Sequence, residues 1–143
     1  MWESDEGEVL ARTIYGEARG EYLRKDGGLS ALIAVGNVVL NRVHQQTWFG
    51  KTIVEVCRKP WQFSCWNEKD PNYKVVTQKT LSDNLFTFCK KVANGLIYKD
   101  WPDLTKGSDH YHSSLLPILP KWTVHQTAQI QIGRHIFYKL EVK

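Results

Sequence analysis

The stretch Gly28-Leu29-Ser30-Ala31-Leu32-Ile33-Ala34-Val35-Gly36-Asn37-Val38-Val39-Leu40-Asn41-Arg42-Val43-His44 decides the fold. Leu32, Gly36, Val39 and Val43 recur at helical spacing, and Leu29, Ile33 and Leu40 run beside them. Apolar groups cover most of the circumference, which predicts a central buried helix over 28–44. Gly36 puts no side chain on that stripe, so another helix can approach closely there.

Outward from this helix the pattern is mixed. Ser4 followed by Asp5, Glu6 and Glu8 reads as an earlier helix start, with acids at the positive end of the dipole. Val9, Leu10 and Ile14 mark its apolar face. Glu17, seven residues after Leu10 and three after Ile14, falls on the same face. A carboxylate ending an apolar stripe is a local conflict, and such conflicts gather at functional sites. Gly16 and Gly20 loosen the backbone around it.

On the other side, residues 52–58 read as a short helix and 60–71 as an aromatic-rich loop. A third long helix is predicted over about 81–94, with Leu81, Leu85, Phe88 and Val92 on one face. Thr80 with Asp83 resembles a capping box, and Gly95 is the expected stop. Residues 109–113 read as a short strand and 116–122, with Pro117 and Pro120, as a loop. Beyond Val124 the pattern is strand-like: Ile130, Ile132, a turn at Gly133-Arg134, then Ile136, Tyr138 and Leu140. Helices first and a small antiparallel sheet last make the fold class α+β.

The length of 143 residues fits one domain spanning 1–143. Apolar residues at 42% and charged residues at 24% exclude a disordered or collagen-like chain. No apolar run is long enough for a membrane span. The net charge is +4, and the first eight residues hold four acids and no base. The remainder therefore carries +8, from 19 basic against 11 acidic residues. Such a body suits an anionic partner: nucleic acid, a membrane surface or an anionic cell-wall polymer. No nucleic-acid motif is present, so nucleic acid is not expected.

Cys57, Cys65 and Cys89 are an odd number, which does not make a disulfide framework. The acidic N-terminus MWESDEGEVL lacks the basic and then apolar pattern of a secretory signal. Cytoplasmic synthesis is expected. A target outside the membrane then requires another delivery route, or a leader removed from the sequence.

Three constellations carry candidate chemistry. The strongest is Tyr15-Gly16-Glu17-Ala18-Arg19-Gly20-Glu21. Glycosidic cleavage needs an acid for the leaving oxygen, and apolar walls help a carboxyl keep its proton. Glu17 suits that role; pairing with Arg12 or Arg19 is the structural alternative. The second is Gln62-Phe63-Ser64-Cys65-Trp66-Asn67, preceded by Trp61. Its aromatics and amides suit either a saccharide groove or a loop folded onto its own core. The third is Asp109-His110-Tyr111-His112. His110 and His112 share one strand face and, with a third ligand such as His125, would hold zinc. Cys65 paired with one of these histidines would be a thiol nucleophile, although nothing local activates it.

Read in order, these segments resemble the spore-cortex cell-wall hydrolases of the SleB/CwlJ type. The resemblance runs from Ala11-Arg12-Thr13-Ile14-Tyr15-Gly16-Glu17-Ala18-Arg19-Gly20-Glu21 through Val38-Val39-Leu40-Asn41-Arg42-Val43 and Gln62-Phe63-Ser64-Cys65-Trp66. It continues with His110-Tyr111-His112 and Pro120-Lys121-Trp122, and ends with Ile132-Gly133-Arg134-His135-Ile136-Phe137. It covers about residues 9–138. It implies a lysozyme-like lytic transglycosylase fold, cleavage of the N-acetylmuramic acid–N-acetylglucosamine bond of peptidoglycan, and Glu17 as the catalytic residue. It places Glu21, Gln62, Phe63, Ser64, Trp66, Tyr111 and His112 along the substrate groove.

One carboxyl suffices if the muramic C6 hydroxyl attacks internally, because no water and no protein nucleophile is then needed. The expected partner is the peptidoglycan glycan strand. No cofactor, no metal and a monomeric chain are expected. The chain departs from the family pattern at Gly50, at Asp109 and in the apolar insertion 115–120. A small basic domain without a signal also matches a phage endolysin. Two other readings are a peptidoglycan amidase or peptidase, using zinc or Cys65, and a non-catalytic glycan-binding module.

Overall fold

Asp5 opens the first long helix. Its carboxylate accepts the N–H of Glu8 at 2.9 Å and caps α1 (Glu6–Tyr22), one residue later than Ser4 predicts. Ser4 belongs instead to a single 3-10 turn, Trp2–Ser4. The structure is a computed structural model and describes residues 2–78 and 80–140.

The predicted central helix is α2 (Leu29–Gln45). It is apolar on two sides because it has two neighbours. Leu32, Val35 and Val39 pack with Val9, Leu10 and Ile14 of α1 in the main core. Ala31, Ala34 and Val38 meet Ile132 and Phe137 of the sheet in a second, smaller core. Gly36 explains the close approach: a Cβ there would lie 2.4 Å from Leu96 Cδ1 and 3.3 Å from Ile14 Cδ1.

Thr52 caps α3 (Ile53–Arg58) by accepting the N–H of Glu55 at 3.1 Å. The loop that follows carries a 3-10 turn at Ser64–Trp66 and a single helical turn, α4 (Tyr73–Val76), neither anticipated from the sequence. The third long helix, α5 (Asn84–Tyr98), differs from expectation in start, end and face. Asp83 alone caps it, accepting the N–H of Phe86 at 2.7 Å. Gly95 lies inside the helix, where a Cβ would be 2.2 Å from the Trp101 ring, so this glycine accommodates an indole rather than a helix end. The buried stripe is Phe86, Cys89, Val92, Ala93 and Leu96, with Leu81 and Leu85 partly buried against the same core. Phe88 stays exposed and stacks on Tyr22 with centroids 6.1 Å apart.

The chain closes with β1 (His110–Ser113), β2 (Ile130–Ile132) and β3 (His135–Tyr138). They form an antiparallel sheet in the order β1-β3-β2, with Tyr111 opposite Phe137 and Ile130 opposite the same Phe137. The fold is α+β as expected. The buried residues of β3 are His135, Phe137 and Tyr138, whereas the sequence pattern pointed to Ile136, Tyr138 and Leu140. Leu140 lies past the strand end. Among the described residues no helix is long and apolar enough to cross a membrane.

Candidate active site

Glu17 sits half-buried in the last half of α1, and its carboxylate is met by donors from two distant segments. The Tyr111 hydroxyl, 94 residues away on β1, donates to Oε1 at 2.5 Å. The backbone N–H of Cys65, 48 residues away, donates to Oε2 at 3.2 Å, and the exposed Ser64 hydroxyl lies 3.5 Å from the same oxygen.

Gly16 is what lets the loop come this close. A Cβ at Gly16 would be 2.6 Å from Cys65 Cβ and 2.8 Å from both Cys65 Sγ and Val76 Cγ1. The turn is further pinned by Trp66, whose indole N–H donates to the buried Thr13 hydroxyl at 2.9 Å, one turn earlier in α1. The glycine beside the glutamate therefore serves a close backbone approach, not the loosening its sequence position suggests.

Tyr111 is held from behind by His135 and Phe137, with ring centroids at 4.7 and 5.5 Å. Burial, reinforced by the charge of Glu17 and the bond to it, pushes its hydroxyl well above the usual tyrosine value. It therefore stays protonated and donates to Glu17 throughout the neutral range. Beneath the site lies Arg42, a buried cation in the mostly apolar α2. Its Nε donates to the Asp109 carbonyl at 2.8 Å and its Nη1 to Gln62 Oε1 at 3.3 Å. Its guanidinium lies over the rings of Phe49 and Phe63. Burial lowers the Arg42 pKa, opposed by acidic neighbours that include Asp109 and Glu17. A lone arginine within an apolar helix is the signal that could have marked it.

Several predicted groove residues are placed elsewhere. Glu21 is 5% exposed. Its oxygens accept the Arg134 backbone N–H at 2.6 Å, Nε at 2.9 Å and Nη2 at 2.7 Å. Burial would raise the Glu21 carboxyl, but the Arg134 bonds outweigh it and hold it below its ordinary value. Glu21 is thus a clamp between α1 and the β2–β3 turn. Gly133 in that turn has φ 60°, and a Cβ on it would lie 2.7 Å from Glu21 Oε1. Phe63 is 1% exposed and packs under Arg42, so it offers no stacking face. His112 is 5% exposed, bonded through Nε2 to the Tyr138 hydroxyl at 3.1 Å and stacked on that ring. Trp66 is buried in the main core and has the Arg58 guanidinium 4.3 Å above its ring. Gln62 is half-buried and bonded to Arg42. The structure therefore brings Ser64 and Tyr111 to Glu17 and withdraws Glu21, Phe63 and His112 into packing roles. An aromatic-rich loop buries most of its own rings, and strand alternation sends Tyr111 to one face and His110 and His112 to the other.

The two other candidate chemistries find little in this geometry. The three cysteines are unpaired and buried. Burial raises the Cys65 thiol strongly, with the Glu17 charge adding to it, and burial likewise lifts Cys57 and Cys89 to about 12. His110 is bonded to Asp109 at 2.8 Å and lies against Trp122. Among the described residues no three His, Cys, Asp or Glu side chains group as metal ligands. Asp109 is fully buried and also accepts from Gln45 and the Leu140 N–H. Burial would raise its carboxyl, but these bonds, His110 first, hold it low.

A family model described as Cell Wall Hydrolase matches residues 28–138, a span that begins after Glu17. The catalytic domain of the Bacillus cereus SleB protein is similar at 26% identity, over 94% of this chain and 89% of that one, with a TM-score of 0.65. The catalytic domain of the germination-specific lytic transglycosylase SleB from Bacillus anthracis is similar at 25% identity, over 95% of each chain, with a TM-score of 0.66. No curated protein sequence matches.

Proposed function

Since the chain belongs to the cell wall hydrolase family, we propose that it cleaves the N-acetylmuramic acid–N-acetylglucosamine bond of peptidoglycan as a lytic transglycosylase, with Glu17 as both acid and base. The reaction class comes from the SleB relative that bears that description. The role of Glu17 rests on one observation. Its carboxylate is half-buried and held by Tyr111 and the Cys65 N–H, beside the exposed Ser64.

Protonated Glu17 gives its proton to the glycosidic oxygen as the bond to the muramic C1 breaks. The carboxylate then takes the proton of the muramic C6 hydroxyl, whose oxygen bonds to C1. The products are a 1,6-anhydromuramic end and a free N-acetylglucosamine hydroxyl, and no water is consumed. Tyr111 and the Cys65 N–H are positioning groups. They fix the carboxylate and stabilise it in the interval when it is an anion. Glu21 and Asp109, the two carboxylates that could have activated a water, are fully engaged by Arg134 and by His110, Gln45 and Leu140. That favours the internal nucleophile over hydrolysis.

Glu17→Gln keeps the side chain's size but removes the transferable proton. It is expected to abolish release of soluble fragments from sacculi while the circular dichroism spectrum is unchanged. Mass spectrometry of wild-type digests should find ends one water lighter than reducing ends. A Gln variant of normal activity would overturn the role of Glu17, and reducing ends alone would overturn the transglycosylase step.

A further inference from the structure

The turn that holds Glu17 also borders a cavity of about 620 Å³. Ser64 and Cys65 reach the carboxylate, while Trp61 and Trp66, on either side of them in sequence, line the cavity together with Arg58, Asn67, Lys69 and Asp70. The volume falls within the range of small-ligand sites.

Two features of its wall are not explained by folding. Trp61 is 84% exposed and has φ 69°. A residue with a Cβ adopts that left-handed conformation at a cost, and here the strain presents an indole to solvent instead of burying it. Beyond the Arg58 guanidinium that lies over the Trp66 ring, the charges are also unspent. Arg58, Lys69 and the neighbouring Glu68 make no ion pair among the described residues. Among the described residues the Asp70 side chain accepts only the Asn72 N–H, through one oxygen. Unpaired charges of both signs around an indole match a ligand that is itself zwitterionic and partly apolar.

We infer that this cavity binds the peptide stem of the wall polymer. The inference rests on the peptidoglycan reading of the neighbouring site. While the stem is joined to the muramic lactyl group as an amide, the sugars of the glycan strand are uncharged. The ionic groups lie on the stem, as carboxylates and as the ammonium of its diamino acid. Arg58 and Lys69 take the carboxylates, Glu68 and Asp70 take the ammonium, and Trp61 covers the apolar face of the stem. Because Ser64 and Cys65 separate the cavity from Glu17 by the width of one turn, a stem seated there fixes which muramic acid lies against the glutamate.

The test compares soluble peptidoglycan strands with the same strands stripped of stems by an amidase. Trp61→Gly suits the left-handed backbone and retains the fold, and Lys69→Ala removes an exposed cation. Each variant is expected to raise KM on stem-bearing strands by about tenfold with kcat unchanged, and to match wild type on stripped strands. Equal impairment on both substrates, or none on either, overturns the inference. Free stem peptide titrated into Glu17→Gln is expected to shift the Trp61 indole N–H resonance, and no shift at millimolar peptide also overturns it. If wild type cleaves neither substrate, the lytic reading falls, and the peptide titration still decides the cavity.

Discussion

Replacing Tyr111 with phenylalanine removes one hydroxyl and nothing else. The ring keeps its contacts with His135 and Phe137, so the packing of β1 on β3 survives. What disappears is the hydrogen bond that the sheet donates to Glu17 Oε1, with the Cys65 N–H and Ser64 left to hold Oε2 alone. A hydrogen bond to a charged group contributes roughly 1.5–3 kcal/mol. If that stabilisation acts on the carboxylate formed during proton transfer, kcat should fall roughly 10- to 150-fold, at about 1.4 kcal/mol per decade. Because the hydroxyl is hydrogen-bonded to the glutamate, KM should stay within about twofold of wild type. Stability should fall by only about 1 kcal/mol, or a few degrees in Tm. Initial rates of muropeptide release at several substrate concentrations, with a thermal melt beside them, measure all three. Wild-type kcat in Tyr111→Phe would refute the assignment of this hydroxyl, and so would a change confined to KM.

Other perturbations follow from the same contacts. Glu21→Gln takes the charged partner from Arg134, whose side chain is about one-third exposed, and urea denaturation should show a lower midpoint; an unchanged midpoint would mean the clamp is dispensable. Gly16→Ala forces a methyl against Cys65, so overpacking of about 1–3 kcal/mol competes with a helix-propensity gain of about 1 kcal/mol. Activity should drop severalfold, whereas Gly20→Ala, whose Cβ would meet nothing nearer than 3.7 Å, should keep full activity; identical behaviour of the two variants would contradict the close-approach role. Stability should also fall with acid in two stages. His135 is held below its ordinary 6.5, first by burial, so the unfolded chain takes up a proton there that the folded one refuses, and stability declines as pH drops below about 6.5. Glu21, Asp103 and Asp109 are held low, so their contribution is intact above about pH 4 and is lost as pH falls further. Urea midpoints that stay flat from pH 7 to 5 would rule out the histidine stage.

The elements governed by near neighbours were legible from sequence alone. The two-sided apolar pattern of 28–44 is a helix between two cores, and Gly36 is the contact it suggested. The conflict at Glu17 was also legible, because a carboxylate on an apolar stripe needs partners from somewhere. Which partners those are was not legible. Arg134 lies 113 residues from Glu21, and no local spacing reveals that pair. The His-Tyr-His alternation separates its members onto two faces, yet only the docking of β1 decides that the tyrosine face meets α1. In the aromatic loop, composition could not separate rings that pack, such as Phe63, from the one that stays outside, Trp61. In α5 Phe86 and Phe88 are both large and apolar and only two residues apart, so spacing alone could not choose which of them faces the core.

The parts of the site are spread along the chain: the glutamate first, the turn at 64–65 next, the tyrosine last. A nascent polypeptide still lacking its final third, or one nicked ahead of the first strand, holds the acid without the hydroxyl that aims it. On the role proposed for Glu17, such a fragment should turn over far more slowly than the whole chain, and full activity waits for the strand that carries Tyr111.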